Sequence, residues 1–231
     1  DSVAVLKQGT HRSLKMDNVL AYIPGKRSDE YVIVGAHFDH LGVDETLADD
    51  KIYNGADDNA SGVSAVLQIA LAFALSGEKP LRNVIFAFWD GEEKGLLGSK
   101  HFVQHCPFLK QIKGYLNFDM IGRNNKPEQP QHVVYFYTAA HPAFGEWLKR
   151  DITRYELQLQ PDYRPWDNPV GGSDNASFAR SGIPVIWYHT DGHPDYHQPS
   201  DHAALLNWEK VVEITKASFL NVWNLANESN Y

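Results

Sequence analysis

The stretch "NVIFAFWDGEEKGLLGSKHFVQH" (83–105) changes character twice. Residues 83–89 form an unbroken apolar run, the pattern of a strand buried on both faces. "DGEE" then stops the run, and residues 95–105 read as a short helix. Glu92 and Glu93 sit side by side in the break. Two adjacent carboxylates repel if buried, so the plain reading of this motif is a solvated acidic turn. The remainder of the chain decides whether it is more than that.

The same strand-then-helix order recurs outward from here. "YVIVGA" (31–36), "GYLNFDM" (114–120), "HVVYFYT" (132–138) and "IPVIWYH" (183–189) read as further strands. Residues 61–78, 142–154 and 207–228 carry helical patterns, the first opened by Ser61 and closed near Gly77. "GKRSDE" (25–30) and "GRNNKPEQPQ" (122–131) read as polar turns or loops. Strands alternating with helices predict a three-layer α/β/α fold around a mixed, mainly parallel sheet. No repeat or linker divides the chain, and residues 1–231 are expected to form one catalytic domain.

Composition narrows the function. A net charge of -8 argues against a nucleic-acid surface. The richest apolar run, "GVSAVLQIALAFAL", is short for a membrane span and reads as a buried helix, so no transmembrane segment is expected. Cys106 is the only cysteine, which excludes an internal disulfide. A first residue Asp1 in place of Met fits a mature exported protein, periplasmic or extracellular, or an excised domain.

In parallel sheets, ligands gather beyond the carboxyl ends of the strands. His37 of "HFDH" follows the first strand; "DGEE" follows the second; Asp119 ends "GYLNF"; "DYHQPSD" follows "VIWYH". "NGADDNASG" (54–62) lies between the first strand and the long helix. Each could be incidental: a capping turn, a strand-end Asp, a surface His. Five segments delivering His, Asp or Glu to one edge are not explained that way together. Imidazole and carboxylate donors suit zinc. The candidates His37, Asp57, Glu93, Asp119 and His197 are too many for one four-coordinate zinc that keeps a water. They suit two if one carboxylate bridges, with Glu93 on metal and Glu92 free as general base. Two zincs ~3.5–4 Å apart can share a hydroxide and polarise a carbonyl. Asp39 lies two residues after His37 and Asp201 four after His197, each placed to accept the second ring N–H of its histidine. His40, His101, His105, His132 and His141 read as surface or helix-face residues.

The ordered set "GAHFDH", "NGADDNASG", "WDGEEKGLLGS", "LNFDMIGR" and "DYHQPSD" resembles the co-catalytic zinc aminopeptidases of clan MH, the twenty-eighth metallopeptidase family. The resemblance runs from about "NVLAYIPG" to the closing helix. It implies a zinc exopeptidase acting on peptides, with Asp57 bridging two zincs. His37 and Asp119 would complete one site, Glu93 and His197 the other. It further implies Glu92 as the base that activates water and protonates the leaving amine, Tyr196 as the oxyanion's partner, and a cis peptide between Asp57 and Asp58. One departure is Ser173-Asp174-Asn175, where many relatives have Ser-Asp-His; Asn175 can hydrogen-bond but not titrate, which touches the substrate pocket rather than the metals.

Other readings stay open at this point. Glutaminyl cyclases share the fold but typically lose "GADDNASG" and the compact "GEEKGLLGS" turn. Binding modules of the transferrin-receptor kind lose ligands that are present here. A carboxypeptidase would need a cation for the substrate carboxylate, for which Arg123, Arg164 and Arg180 are available. Trp166, Phe178, Trp187 and Tyr188 flank the last motifs and suggest an apolar pocket, although about half are expected to be core. Oligomeric state is not legible.

Overall fold

The computed structural model describes residues 15–166 and 171–231. Strands β1 (Val19–Ile23), β2 (Arg27–His37), β5 (Arg82–Trp89), β6 (Ile112–Phe118), β7 (His132–Thr138), β8 (Gln160–Trp166) and β9 (Val185–His189) form one sheet in the order β1-β5-β2-β6-β9-β7-β8. The short pair β3 (Gly42–Val43) and β4 (Ile52–Tyr53) forms a separate hairpin. The central strands β5, β2, β6 and β9 are mutually parallel. β1 and β7 pair antiparallel with β5 and β9, and β8 runs parallel to β7. The helices are α1 (Gly62–Ser76), α2 (Leu97–His105), α3 (Ala143–Tyr155), α4 (Asn175–Ala179) and α5 (Trp208–Asn227).

The sheet divides two cores by the alternation of its side chains. On one face Val32, Val34, Val84, Phe86, Leu116 and Phe118 pack against α1, α3 and α5. On the other, Ile33, Ile85, Trp89, Tyr115 and Trp187 pack with Phe102 of α2 and Phe178 of α4. The result is the three-layer α/β/α arrangement with a mixed, mainly parallel sheet.

Besides the short hairpin β3–β4, two strands of the main sheet depart from the expected set. β1 is a largely exposed edge strand with Val19, Leu20 and Tyr22 outward. β8, the opposite edge, reads "QPDYRPW", and its prolines at 161 and 165 are tolerated because only one side pairs. β2 also begins inside the expected 25–30 turn, with a register shift between Arg27 and Tyr31. One helical run, Ala56–Ser76, has the length and hydropathy of a membrane span, contrary to the expectation that none does. It is interrupted by non-helical backbone at Asp58 and Asn59, and α1 packs against the sheet and α5.

Candidate metal centre and active site

Because β5, β2, β6 and β9 are adjacent and parallel, their carboxyl ends share one edge of the sheet. This brings together His37 at the end of β2, Glu92 and Glu93 after β5, Asp119 after β6, and His197 beyond β9. The turn at 56–61, just before α1, completes the set.

That turn is fixed by its own side chains. Asn59 Nδ2 donates to Phe118 O (2.9 Å), and Asn59 Oδ1 accepts from Gly62 N (3.2 Å) and Met120 N (3.3 Å). A Cβ at Gly62 would lie 2.4 Å from Asn59 Oδ1, so a glycine is required for this docking. Ser61 Oγ donates to Asp57 O and accepts from Ile121 N. The turn is thereby pinned to the segment that carries Asp119.

Pinned this way, the two aspartates meet different partners, and the place between His37 and His197 is taken by Asp58, not Asp57. Asp58 Oδ1 is 3.2 Å from His37 Nε2, and Asp58 Oδ2 is 3.1 Å from His197 Nε2. Asp57 is fully buried; its Oδ1 accepts from Gly122 N (2.6 Å) and its Oδ2 lies 3.1 Å from His193 Nε2. The expected assignment was one residue out of register. The non-proline cis peptide is likewise one residue on, at Asp58–Asn59 instead of Asp57–Asp58.

The other expected ligands converge around Asp58. Asp119 Oδ2 lies 3.7 Å from His37 Nε2, and Glu93 Oε2 lies 3.2 Å from His197 Nε2. His37, Asp58 and Asp119 form one group of close donor atoms; Asp58 and Glu93, with His40, form a second. Asp58 is common to both. Imidazole nitrogens and carboxylate oxygens at these spacings fit two zinc ions bridged by Asp58. Four carboxylates facing a few imidazoles also leave an excess of negative charge for cations to neutralise.

Neither supporting aspartate does what its spacing suggested. Asp39 does face His37, but Nδ1 bonds its main-chain carbonyl at 3.1 Å while the carboxylate is 3.7 Å away. That carboxylate instead accepts from the backbone N–H groups of Glu92 (2.9 Å) and Glu93 (3.2 Å). It holds the two glutamates in place, and the close pair is a built turn rather than a loose acidic loop. Asp201 does not reach His197. Its Oδ2 accepts from Asp57 N (2.9 Å) and Asp58 N (3.1 Å), anchoring the bridging turn.

Burial, reinforced by Asp119, pushes the carboxyl of Glu92 up to about 8. Its proton therefore exchanges near neutral pH beside the donor set, the property of a general acid–base residue. Tyr196 stacks on His197 with ring centroids 3.9 Å apart. Burial, with the field of Asp58 and Asp119, pushes its hydroxyl to about 12, so it remains a hydrogen-bond donor.

Of the four pocket aromatics, Phe178, Trp187 and Tyr188 are core. Trp166 ends β8, which runs antiparallel to β9, and so lies toward the opposite end of the sheet. Trp187 is packed in the same core as Phe178, stacked on Phe136 at 4.7 Å with its ring 5.1 Å from that of His189. Asn175 is buried and takes part in the structure behind the site, bonding Gly171 O and Asn117. The sequence reading also missed His40, which contacts Glu93; its place three residues after His37 was the available signal.

The sequence model of peptidase family M28 matches residues 18–222. Leupeptin-inactivating enzyme 1 of Streptomyces exfoliatus is 33% identical over 174 residues, 73% of this chain and 34% of that enzyme. The LapA aminopeptidase of Legionella pneumophila superposes with a TM-score of 0.75 at 27% identity, covering 91% of this chain and 56% of LapA. A glutaminyl cyclase from an Acidobacteriales bacterium shares the fold, with a TM-score of 0.68 at 18% identity over 91% of this chain and 74% of its own. The chain therefore spans only about a third of the Streptomyces enzyme and somewhat over half of LapA.

Proposed function

This chain belongs to peptidase family M28, and on that footing we propose that it is a two-zinc aminopeptidase removing one N-terminal residue, preferably apolar, from peptides. The observation that carries the reading is the position of Asp58, whose two oxygens face His37 at 3.2 Å and His197 at 3.1 Å. His37, Asp58 and Asp119 would hold one zinc; Asp58, Glu93 and His197 the other. When bound, the pair would supply Lewis acidity and a readily deprotonated water.

The protein's own groups account for the remaining steps. Glu92, held by Asp39 through its backbone N–H, takes a proton from the attacking water. The water oxygen bonds the scissile carbonyl carbon. Tyr196 donates a hydrogen bond to the oxygen that gains charge. Glu92 then returns the proton to the amine nitrogen as the C–N bond breaks, so the base ends the cycle as it began. The surplus of carboxylates favours a substrate with a free ammonium group. The probable leucine aminopeptidase of Arthroderma otae, 30% identical over 87% of this chain, supports an apolar preference.

A panel of aminoacyl-4-nitroanilides tests this, with N-acetyl-Leu-4-nitroanilide, a C-terminal-release peptide and a Gln-terminal peptide alongside. The proposal expects turnover of the free-amine Leu and Phe substrates and none of the acetylated one. Equal turnover of the acetylated substrate would end it, and cyclisation of only the Gln-terminal peptide would replace it with cyclase chemistry.

A further inference from the structure

We propose that His40 is a positioning residue for the second zinc: its ring N–H clamps one oxygen of Glu93 and leaves the other as a single metal donor. This rests on the two-zinc reading above and adds a residue that the five ligand positions do not include.

His40 lies on the loop leaving β2, with its side chain only 10% exposed. Its Nδ1 is 2.8 Å from Glu93 Oε1, while Glu93 Oε2 is 3.2 Å from His197 Nε2. The two oxygens of Glu93 are thus divided between two imidazoles. The His40 ring also meets that of His197 edge-on, with centroids 5.7 Å apart.

The distances decide between ligand and clamp. Two donors on one tetrahedral zinc, each roughly 2.0–2.1 Å from it, lie about 3.3–3.4 Å apart. The pairs His37–Asp58, Asp58–His197 and His197–Glu93, at 3.2, 3.1 and 3.2 Å, fit that spacing. The His40–Glu93 separation of 2.8 Å is instead that of a charge-assisted N–H···O bond.

The tautomer follows from the surroundings. A bare Nδ1 lone pair facing a carboxylate oxygen would be repelled, so Nδ1 carries the proton. Nε2 is buried without a hydrogen-bond partner among the described residues. An unpaired acceptor there is more tolerable than an unpaired N–H. The backbone makes room for this ring. Gly55 has φ of 59°, and a Cβ on it would lie 2.8 Å from His40 Cγ and Cδ2. A side chain at 55 would push the imidazole away from Glu93.

Partners of metal-ligating carboxylates tune affinity by roughly 10–100-fold. The consequence here is selective, because Glu93 serves only the zinc shared with His197. The experiment is a zinc titration against a competing chelator, read by bound metal, on the wild type, His40→Phe and His40→Gln. The expected result is two zincs in the wild type, with the weaker or second site of His40→Phe loosened roughly 10–100-fold and the other unchanged. His40→Gln, which keeps an N–H donor, should recover much of the loss. Unchanged affinities in His40→Phe, equal loosening of both sites, or no rescue by Gln would overturn the proposal. A wild type that binds fewer than two zincs would overturn the two-zinc reading itself, a distinguishable result. Independently of any variant, long-range ¹H–¹⁵N spectra of the zinc-loaded protein should show His40 protonated at Nδ1; protonation at Nε2 alone would refute the clamp.

Discussion

Replacing Asp58 and Asp57 separately by Asn separates two neighbouring carboxylates that the sequence cannot tell apart. Asp58→Asn keeps shape but turns one oxygen into an NH₂ group, which has no lone pair for a metal. Both Asp58 oxygens face imidazole nitrogens at 3.1–3.2 Å, so whichever is lost removes a donor from one site. Apparent zinc-binding free energies of roughly 10–16 kcal/mol over four ligands suggest about 3 kcal/mol per donor. At 1.4 kcal/mol per decade, affinity for one zinc should fall about 100-fold. Asp57→Asn keeps the oxygen that accepts from Gly122 N and alters the one beside His193. Its zinc affinity should therefore stay within about threefold of wild type, although the buried contact with His193 makes some loss of stability expected. The assay is zinc competition with a chromophoric chelator, paired with thermal unfolding. If Asp57→Asn loses zinc and Asp58→Asn retains it, the assignment of the bridge is wrong.

Glu92→Gln should retain zinc and lose roughly 10²–10⁴-fold in kcat, because the amide cannot take the proton; Glu93→Gln should instead weaken metal binding, and metal analysis beside steady-state kinetics separates the two. Asp201→Ala would leave the buried N–H groups of Asp57 and Asp58 without their acceptor, each costing roughly 1–3 kcal/mol, which denaturant unfolding would detect and a wild-type midpoint would contradict. Phe178 is fully buried between Trp89 and Tyr115, and Phe178→Ala should cost roughly 3–5 kcal/mol in the same assay. Burial, opposed by the charge of Asp57, lowers the Lys210 ammonium from 10.5 to about 8. The unfolded chain therefore binds more protons between those values, so this residue makes stability rise with pH across that window, by roughly 3 kcal/mol at most. Lys210→Met should flatten that rise, and an unchanged pH–stability slope would refute the effect.

The parallel strands were legible because a strand buried on both faces reads as an apolar run, as in "YVIVGA" and "NVIFAFW". β1 and β8 were not, because edge strands tolerate exposed and proline-bearing sequences. At the site, His37, Glu93, Asp119 and His197 were legible as ligand-type residues immediately after or beyond strand ends. Choosing Asp58 over Asp57 required the conformation of an irregular turn, which has no periodicity to read. Spacing suggests histidine partners for Asp39 and Asp201, whereas their carboxylates accept from backbone N–H groups. Those groups leave no mark in the sequence, and the two that Asp201 holds lie far away in the chain. For His40 the sequence offers only its place three residues after His37, which becomes meaningful once the fold sets Glu93 beside it.

Everything proposed for this site depends on Asp58 joining two zinc ions at the carboxyl edge of the sheet. An anomalous difference map at the zinc absorption edge, from crystals of the zinc-loaded protein, tests it most directly. The account predicts two peaks ~3.5–4 Å apart, one beside His37 and Asp119, the other beside Glu93 and His197, with one oxygen of Asp58 toward each. A single fully occupied peak, or a pair joined through Asp57, would contradict it.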